Sequence, residues 1–157
     1  MSNPFYLGDI AILNQPKVAF LSSRKISSAT VLKCFDWATE QRDKDACVIS
    51  GYHSPLEKDV LHFLLKGLQP VILVLGRSIY KQLPNYLHKP LDTGRLLIVS
   101  PVSQSIQRQS VQSCTTRNKY IIDNADEVVF GSLDEKGNLY PLYRQAIEDG
   151  KKVKVIS

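Results

Sequence analysis

The sequence predicts an α/β domain in which a mainly parallel sheet carries helices on both of its faces. Short apolar runs recur along the chain, and most of them are apolar on successive residues instead of alternating with polar ones. That pattern is typical of strands that are covered on both sides, as in a parallel sheet. Amphipathic segments of helical length lie between the runs, as they do in crossover units that join parallel strands.

We predict strands at the apolar runs 18–22, 46–50, 71–75, 96–100, 127–131 and 153–156. The helices that we predict cover residues 29–41, 55–66, 108–125 and 141–149. The apolar side chains of the first two helices recur at helical spacing, which gives each helix one face for the sheet. A short lead-in over residues 1–16 and a tight turn at 134–138 complete the interpretation. No repeat, linker or low-complexity tract is evident, so residues 1–157 are interpreted as one three-layer, Rossmann-like domain.

The charge of the chain is concentrated in its middle. The net charge is +5, and residues 60–122 hold eight Lys or Arg residues but one acid, Asp92. A surface built from this segment would attract polyanions such as nucleic acid. Scattered, solvated lysines are the alternative, and sequence alone does not show whether the side chains converge.

Several classes of protein are disfavoured by composition. The three cysteines, Cys34, Cys47 and Cys114, form no C-x-x-C pair, so neither a zinc site nor a disulfide framework is indicated. No apolar run is long enough to cross a bilayer, and the N-terminus lacks the pattern of a signal peptide. We therefore expect a cytoplasmic protein without a metal, a cofactor or a membrane contact. The oligomeric state stays open, with a homodimer among the alternatives.

The loops that follow the predicted strands are the candidate ligand site, because ligands bind beyond the carboxyl ends of the strands in an open parallel sheet. The first such loop contains Ser23 and Arg24 and precedes a helix, whose N-terminus would attract an anion. Capping of that helix by Ser27 or Ser28 is the simpler role for those two serines. Arg24 is harder to explain by packing alone, and we interpret it as a phosphate ligand.

The second loop contains Gly51, Tyr52 and His53. Glycine allows close approach of the backbone to a ligand, while Tyr52 could stack on a base and His53 could hydrogen-bond a phosphate. The residues Ser54 to Glu57 then form a capping box with proline at the first helical position. In that role Glu57 is structural, and glutamine at this position should keep most of the stability. The alternative is a catalytic carboxylate pointing into the cleft.

Two further loops complete the set. Gly76 and Arg77 follow the third strand, and an arginine beside a glycine suits a phosphate because its guanidinium is a planar fork of donors. Arg117 and Asn118 lie near the start or middle of a helix, before an apolar run. We expect this exposed Arg-Asn pair to contact a phosphate or a base, with a surface ion pair as the alternative for Arg117. Together the four loops favour a phosphorylated ligand, either a nucleotide or a single-stranded nucleic acid.

At these residues the chain resembles the DNA-processing protein A (DprA/Smf) family, within the wider group that includes the LOG phosphoribohydrolases. Leu21-Ser22-Ser23-Arg24 resembles the family's Gly-Ser-Arg turn, and Ile49-Ser50-Gly51 its Ser-Gly loop. The segment from Arg117 to Ile122 resembles its Arg-Asn-Arg helix, and the segment from Asp126 to Phe130 the following strand. The resemblance runs from about Tyr6 to the end of the chain.

Three functions follow from this resemblance and from the residues. The first is a non-enzymatic domain that binds single-stranded DNA or a nucleotide and takes part in DNA processing or uptake. The second is a small nucleotide hydrolase with Glu57 as its catalytic carboxylate. The third is a nucleotide-sensing module. The first is favoured, because the middle of the chain is basic and the Pro-Gly-Gly-x-Gly-Thr signature of the LOG enzymes is absent.

Overall fold

The predicted strands are present in the structure, and each agrees with its prediction to within one residue at either end. The structure is a computed structural model that describes residues 3–157, so residues 1 and 2 of the predicted lead-in lie outside the described residues. The strands are β1 (Phe5–Gly8), β2 (Lys17–Ser22), β3 (Cys47–Ser50), β4 (Val71–Val74), β5 (Leu96–Ser100), β6 (Glu127–Gly131) and β7 (Lys152–Ile156). The helices are α1 (Ser28–Asp43), α2 (Pro55–Leu65), α3 (Asn85–Asp92), α4 (Val111–Asp123) and α5 (Leu139–Glu148), with a 3-10 helix at Ile10–Asn14.

The strands form one sheet with the order β1-β5-β4-β3-β2-β6-β7. All neighbouring pairs are parallel except β1 and β5, which are antiparallel. From β2 the chain builds outward through β3, β4 and β5, and it then returns to the other side of β2 to form β6 and β7. The carboxyl ends of β2 and β6 therefore lie at the topological switch point of the sheet, where α/β proteins of this type open a crevice.

The two faces of the sheet carry separate apolar cores. Side chains alternate along each strand, so Phe20 of β2 packs with Trp37 of α1 on one face, whereas Leu21 packs on the other face. The first core takes in the buried sides of α1, α2 and α3. The second core takes in Ile121 of α4 and Ala146 of α5. This arrangement confirms the three-layer, Rossmann-like fold.

Three elements were not predicted: β1, the 3-10 helix at Ile10–Asn14 and α3. Strand β1 has only four residues, none of them buried, and it pairs with β5 at the edge of the sheet. Its apolar run is too short for a strand to be predicted from it. Helix α3 has eight residues, follows Pro84 and contains Pro90, and prolines ordinarily indicate a loop. Its Leu87 is nevertheless fully buried in the first core.

Helix α4 begins later than predicted, at Val111 and not at residue 108. Ser110 is its N-cap, and Ser110 and Ser113 each accept a hydrogen bond from the other's backbone N–H, at 3.1 and 2.8 Å. Residues 101–110 are consequently a loop, and Arg117 lies at the end of the second helical turn. The turn predicted at 134–138 is present, with Gly137 N–H donating to Asp134 O at 2.8 Å. Within residues 3–157, no helix has the length and apolar character that a bilayer span requires.

Candidate functional site

A cleft of about 690 Å³ opens at the carboxyl edge of the sheet, at the switch point between β2 and β6. Its walls come from the loops after β2 and β3, from the first turns of α4 and from the turn before α5. Of the residues predicted for the site, five line this cleft: Ser23, Arg24, His53, Arg117 and Asn118. Among residues 3–157, no group of three or more His, Cys, Asp or Glu side chains is placed to hold a metal ion.

Arg117 is a buried cation that faces the cleft. Its Nε donates to Asn118 Oδ1 at 3.1 Å, and its Nη1 donates to Gln109 Oε1 at 2.8 Å. None of the ion pairs formed by residues 3–157 includes Arg117, and its Nη2 has no hydrogen-bond partner there. A buried guanidinium without a counter-charge is unfavourable by itself, so this arrangement fits an anion supplied from outside.

The expectation that Arg117 and Asn118 form an exposed pair is wrong. Arg117 is 7% exposed and Asn118 is 8% exposed, because this side of α4 packs toward the sheet. Neither residue is remote from solvent, since both border the cleft. The surface ion pair that was the alternative for Arg117 is absent from the described part of the chain.

Gly51 does not line the cleft, but it makes room for Arg117. A Cβ atom at position 51 would lie 2.9 Å from Arg117 Nε and 3.0 Å from Arg117 Cδ, closer than side chains normally come. The sequence predicted that the backbone at this glycine approaches a ligand, whereas the structure places an arginine side chain of the same protein against it.

Glu57 is held by backbone donors. Its Oε2 accepts a hydrogen bond from Ser22 N–H at 3.0 Å, and its Oε1 accepts from the N–H groups of His53 and Ser54 at 2.9 and 3.2 Å. Ser54 Oγ in turn accepts from Glu57 N–H, which completes the predicted capping box. The carboxylate thereby joins the end of β2 to the start of α2 and holds these two parts of the cleft wall together.

The loop after β2 carries two exposed cations at the rim of the cleft. Arg24 and Lys25 are both exposed there, and neither forms an ion pair within residues 3–157. Ser23 Oγ donates to Ser132 O at 3.3 Å, which ties the loop after β2 to the loop after β6. Ser27 is the N-cap of α1, accepting from Thr30 N–H at 3.2 Å, so the predicted capping role is confirmed for that serine.

His53 lines the cleft together with Arg24, Arg117 and Glu57. Its Nδ1 lies 3.4 Å from Gln109 Nε2. Burial lowers the pKa of His53, and the positive charge of Arg117 lowers it further. Both effects favour the neutral imidazole in the free protein.

The expectation that Tyr52 projects from the loop and stacks on a base is wrong. Tyr52 is 4% exposed and belongs to the apolar core between the sheet and α2, and its hydroxyl donates to Val48 O at 3.0 Å. A left-handed backbone, with φ of 43°, turns the ring inward. The sequence could not show that the Tyr52 ring points into the core, since tyrosine adopts a left-handed backbone only rarely.

The third predicted loop is only partly at the cleft. A Cβ atom at Gly76 would lie 3.2 Å from Gln109 Oε1, so this glycine packs behind the residue that holds Arg117. Arg77 turns away and lines a separate depression. The prediction that Arg77 shares one site with Arg24 and Arg117 is therefore wrong.

Several residues of the cleft were not predicted. Gln109 supports Arg117 from the loop before α4, and the nearby Cys114 donates from Sγ to Gln109 Oε1 at 3.2 Å. Asp134 and Asn138 form part of the opposite wall. An uncharged glutamine in a loop gives no sequence signal, although its position directly before the cap of α4 places it at the sheet edge.

The model of a protein family described as DNA recombination-mediator protein A matches residues 3–157. No curated protein matches the sequence.

Solved structures share the fold. DNA processing protein A from Streptococcus pneumoniae superposes with a TM-score of 0.77 at 20% identity, over 97% of this chain and 54% of that protein. The Helicobacter pylori protein, reported to have a single-stranded DNA binding mode, has a TM-score of 0.77 at 22% identity, over 97% and 70% of the two chains. A molybdenum cofactor binding protein from Rippkaea orientalis has a TM-score of 0.62 at 10% identity, over 90% and 76%. The chain thus spans about half of the Streptococcus pneumoniae protein.

Proposed function

Because this chain belongs to the DNA recombination-mediator protein A family, we propose that it binds single-stranded DNA in the cleft between β2 and β6. The observation that carries the proposal is the unpaired guanidinium of Arg117 at the cleft wall, with its Nη2 free of partners within residues 3–157. A phosphate there would accept the fork of donors and neutralise the buried charge.

A DNA strand fits the charge distribution better than a single nucleotide does. The cations extend from Arg117 to Arg24 and Lys25 on the rim, so positive charge is available over more than one phosphate. Single-stranded nucleic acid is generally bound along such a positively charged groove. Participation in DNA processing is part of the same proposal.

A nucleotide hydrolase is disfavoured by the state of Glu57. Its two carboxylate oxygens accept three backbone N–H groups, which leaves it poorly placed to accept a proton from a water molecule. The other acid at the cleft, Asp134, is exposed and accepts from Lys136 N–H at 2.9 Å.

The test is fluorescence anisotropy of a labelled oligothymidylate over a series of salt concentrations. Arg24→Ala and Arg117→Met should each weaken binding, and each lost phosphate contact should make the plot of log affinity against log salt shallower by about 0.7. Arg117→Met should lower affinity by roughly tenfold or more, since a hydrogen bond to a charged group contributes about 1.5–3 kcal/mol. The matched control is Lys89→Gln, which removes one exposed charge from α3.

Absence of binding at low salt would contradict the proposal. Tight, salt-insensitive binding of a mononucleotide with no affinity for the oligonucleotide would also contradict it, and would identify a nucleotide as the ligand. Unfolding of Arg117→Met is not expected, because an apolar side chain of similar length replaces an unpaired buried cation.

A further inference from the structure

A second depression of about 320 Å³ is built from the loops after β4 and β5. Its lining includes three cations, and we call it the basic groove: Arg77, Lys81 and Arg108, with Ser78, Tyr80, Gln82 and Gln107. No carboxylate of residues 3–157 lines it. The groove therefore has the composition of a site for a polyanion.

Hydrogen bonds between the two loops hold the basic groove in shape. Ser78 N–H donates to Ile106 O at 2.7 Å, and Ile79 N–H donates to Gln104 Oε1 at 3.0 Å. Ser100 Oγ, at the end of β5, donates to Arg77 O at 2.6 Å. These bonds fix the backbone that carries the cations, so a ligand would meet a groove that is already formed.

The three cations have no counter-charge in the described part of the chain. None of Arg77, Lys81 and Arg108 takes part in an ion pair of residues 3–157. Arg77 lies over the ring of Tyr80 at 5.3 Å, and its Nε donates to Ser78 O at 3.3 Å, which orients the guanidinium. Like charges gathered in one depression repel each other, and a bound anion relieves that repulsion.

The basic groove adjoins the cleft along the same edge of the sheet. Arg108 lines the groove and its chain neighbour Gln109 lines the cleft, so the two sites meet within one residue of the loop before α4. Gly76, which packs against Gln109, likewise directly precedes Arg77. A linear ligand that leaves the cleft on this side meets the groove next.

We propose that the basic groove is a second phosphate-binding subsite, which continues the path of single-stranded DNA beyond the cleft. This inference rests on the proposed function of the cleft. It assigns binding roles to Arg77, Lys81 and Arg108, which all line the groove. A single phosphodiester backbone is the occupant, because three cations without an ion pair in residues 3–157 line the groove and Arg108 directly precedes Gln109 of the cleft.

The experiment compares oligothymidylates of about 4 and about 20 nucleotides. The shorter length matches the smallest known single-strand binding sites, and the longer one exceeds them. The variant is Lys81→Gln/Arg108→Gln, which removes two exposed cations that take part in no ion pair of residues 3–157. Arg77→Gln is a second variant. The control, Lys66→Gln/Lys89→Gln, removes two exposed charges at the ends of α2 and α3.

Binding of the long oligonucleotide should weaken severalfold in Lys81→Gln/Arg108→Gln, and its salt plot should become shallower by about 1.4, or about 0.7 for each contact. Binding of the short oligonucleotide should stay within about twofold of wild type. Equal effects on both lengths, no effect on either, or an equal loss with a preformed duplex would overturn the inference. Failure of the wild type to bind either oligonucleotide would instead overturn the proposed function.

Discussion

The side chain of Arg117 passes so close to Gly51 that a Cβ atom on residue 51 would lie 2.9 Å from Arg117 Nε. The loop after β3 and the second turn of α4 are therefore fitted to each other at the back of the cleft. Gln109 and Asn118 hold the other side of the guanidinium, at 2.8 and 3.1 Å. The position of the cation depends on all three neighbours.

Gly51→Ala should displace Arg117 and weaken DNA binding roughly tenfold, because the methyl group occupies the space of the arginine side chain. Overpacking of this kind costs about 1–3 kcal/mol of stability. Oligonucleotide anisotropy measures the first effect and urea unfolding the second. The control is a double-mutant cycle with Arg117→Met. If Gly51 acts through Arg117, Gly51→Ala should reduce affinity no further in that background; an additive loss would contradict the relationship.

Glu57→Gln should destabilise the protein by about 1–3 kcal/mol, more than the loss of a simple capping residue would suggest. Both carboxylate oxygens of Glu57 now accept hydrogen bonds from backbone N–H groups, among them Ser22 N–H. Glutamine has only one acceptor oxygen, and its NH₂ group would face an N–H donor that is left without an acceptor. Chemical denaturation measures the change. The capping box alone predicts that glutamine keeps most of the stability, because it does not include the hydrogen bond from Ser22 N–H to Glu57 Oε2.

The same variant separates a structural role of Glu57 from a catalytic one. Wild type and Glu57→Gln are incubated with nucleoside monophosphates and assayed for released base, at a temperature where both are folded. Neither should release base. Turnover by wild type that disappears in Glu57→Gln would make the protein a hydrolase.

DNA affinity should increase as the pH falls from about 7.5 to about 5.5. Burial and the charge of Arg117 lower the pKa of His53 in the free protein; Arg24 and Lys58 act in the same direction and Glu57 in the opposite one. A bound phosphate counters these cations, raises the pKa of His53 and so favours uptake of a proton. Anisotropy at each pH measures the effect, and His53→Gln should remove it.

Stability should depend on pH in the opposite direction in the free protein. Since the folded pKa of His53 lies below the ordinary value of 6.5, the unfolded chain binds more protons just below that pH. His53 therefore contributes stability above pH 6.5 that is lost as the pH falls toward its folded pKa. Thermal unfolding of wild type and His53→Gln should diverge in this range; parallel curves would contradict the lowered pKa.

Cys114 should be the one fast-reacting thiol of the native protein. Burial raises the pKa of Cys34 and of Cys47 to about 11, whereas Cys114 is partly exposed and lines the cleft. A colorimetric thiol reagent should modify one cysteine quickly, and saturating single-stranded oligonucleotide should slow that reaction severalfold. Cys114→Ser should remove the fast phase. Unchanged reactivity with DNA bound would place the DNA outside the cleft.

The sequence by itself determined the layered fold and the edge of the sheet at which the site lies. Apolar runs such as 71–75 and 96–100 can be buried on both faces only in a covered sheet, and the capping box from Ser54 to Glu57 is a local device whose partners lie three residues apart. Parallel strands then deliver their following loops to one edge, so the positions of Ser23, Gly51 and Arg117 near each other followed from topology.

Only the tertiary structure decided where individual side chains point. The inward turn of Tyr52 depends on a single left-handed backbone conformation. The placement of Arg77 in the basic groove and not in the cleft depends on how the loop after β4 packs against the loop after β5. The lack of an ion pair at Arg117 within residues 3–157 depends on segments far apart in the chain. Periodicity and capping are set by neighbours a few residues away, whereas the direction and pairing of a loop side chain are set by long-range packing.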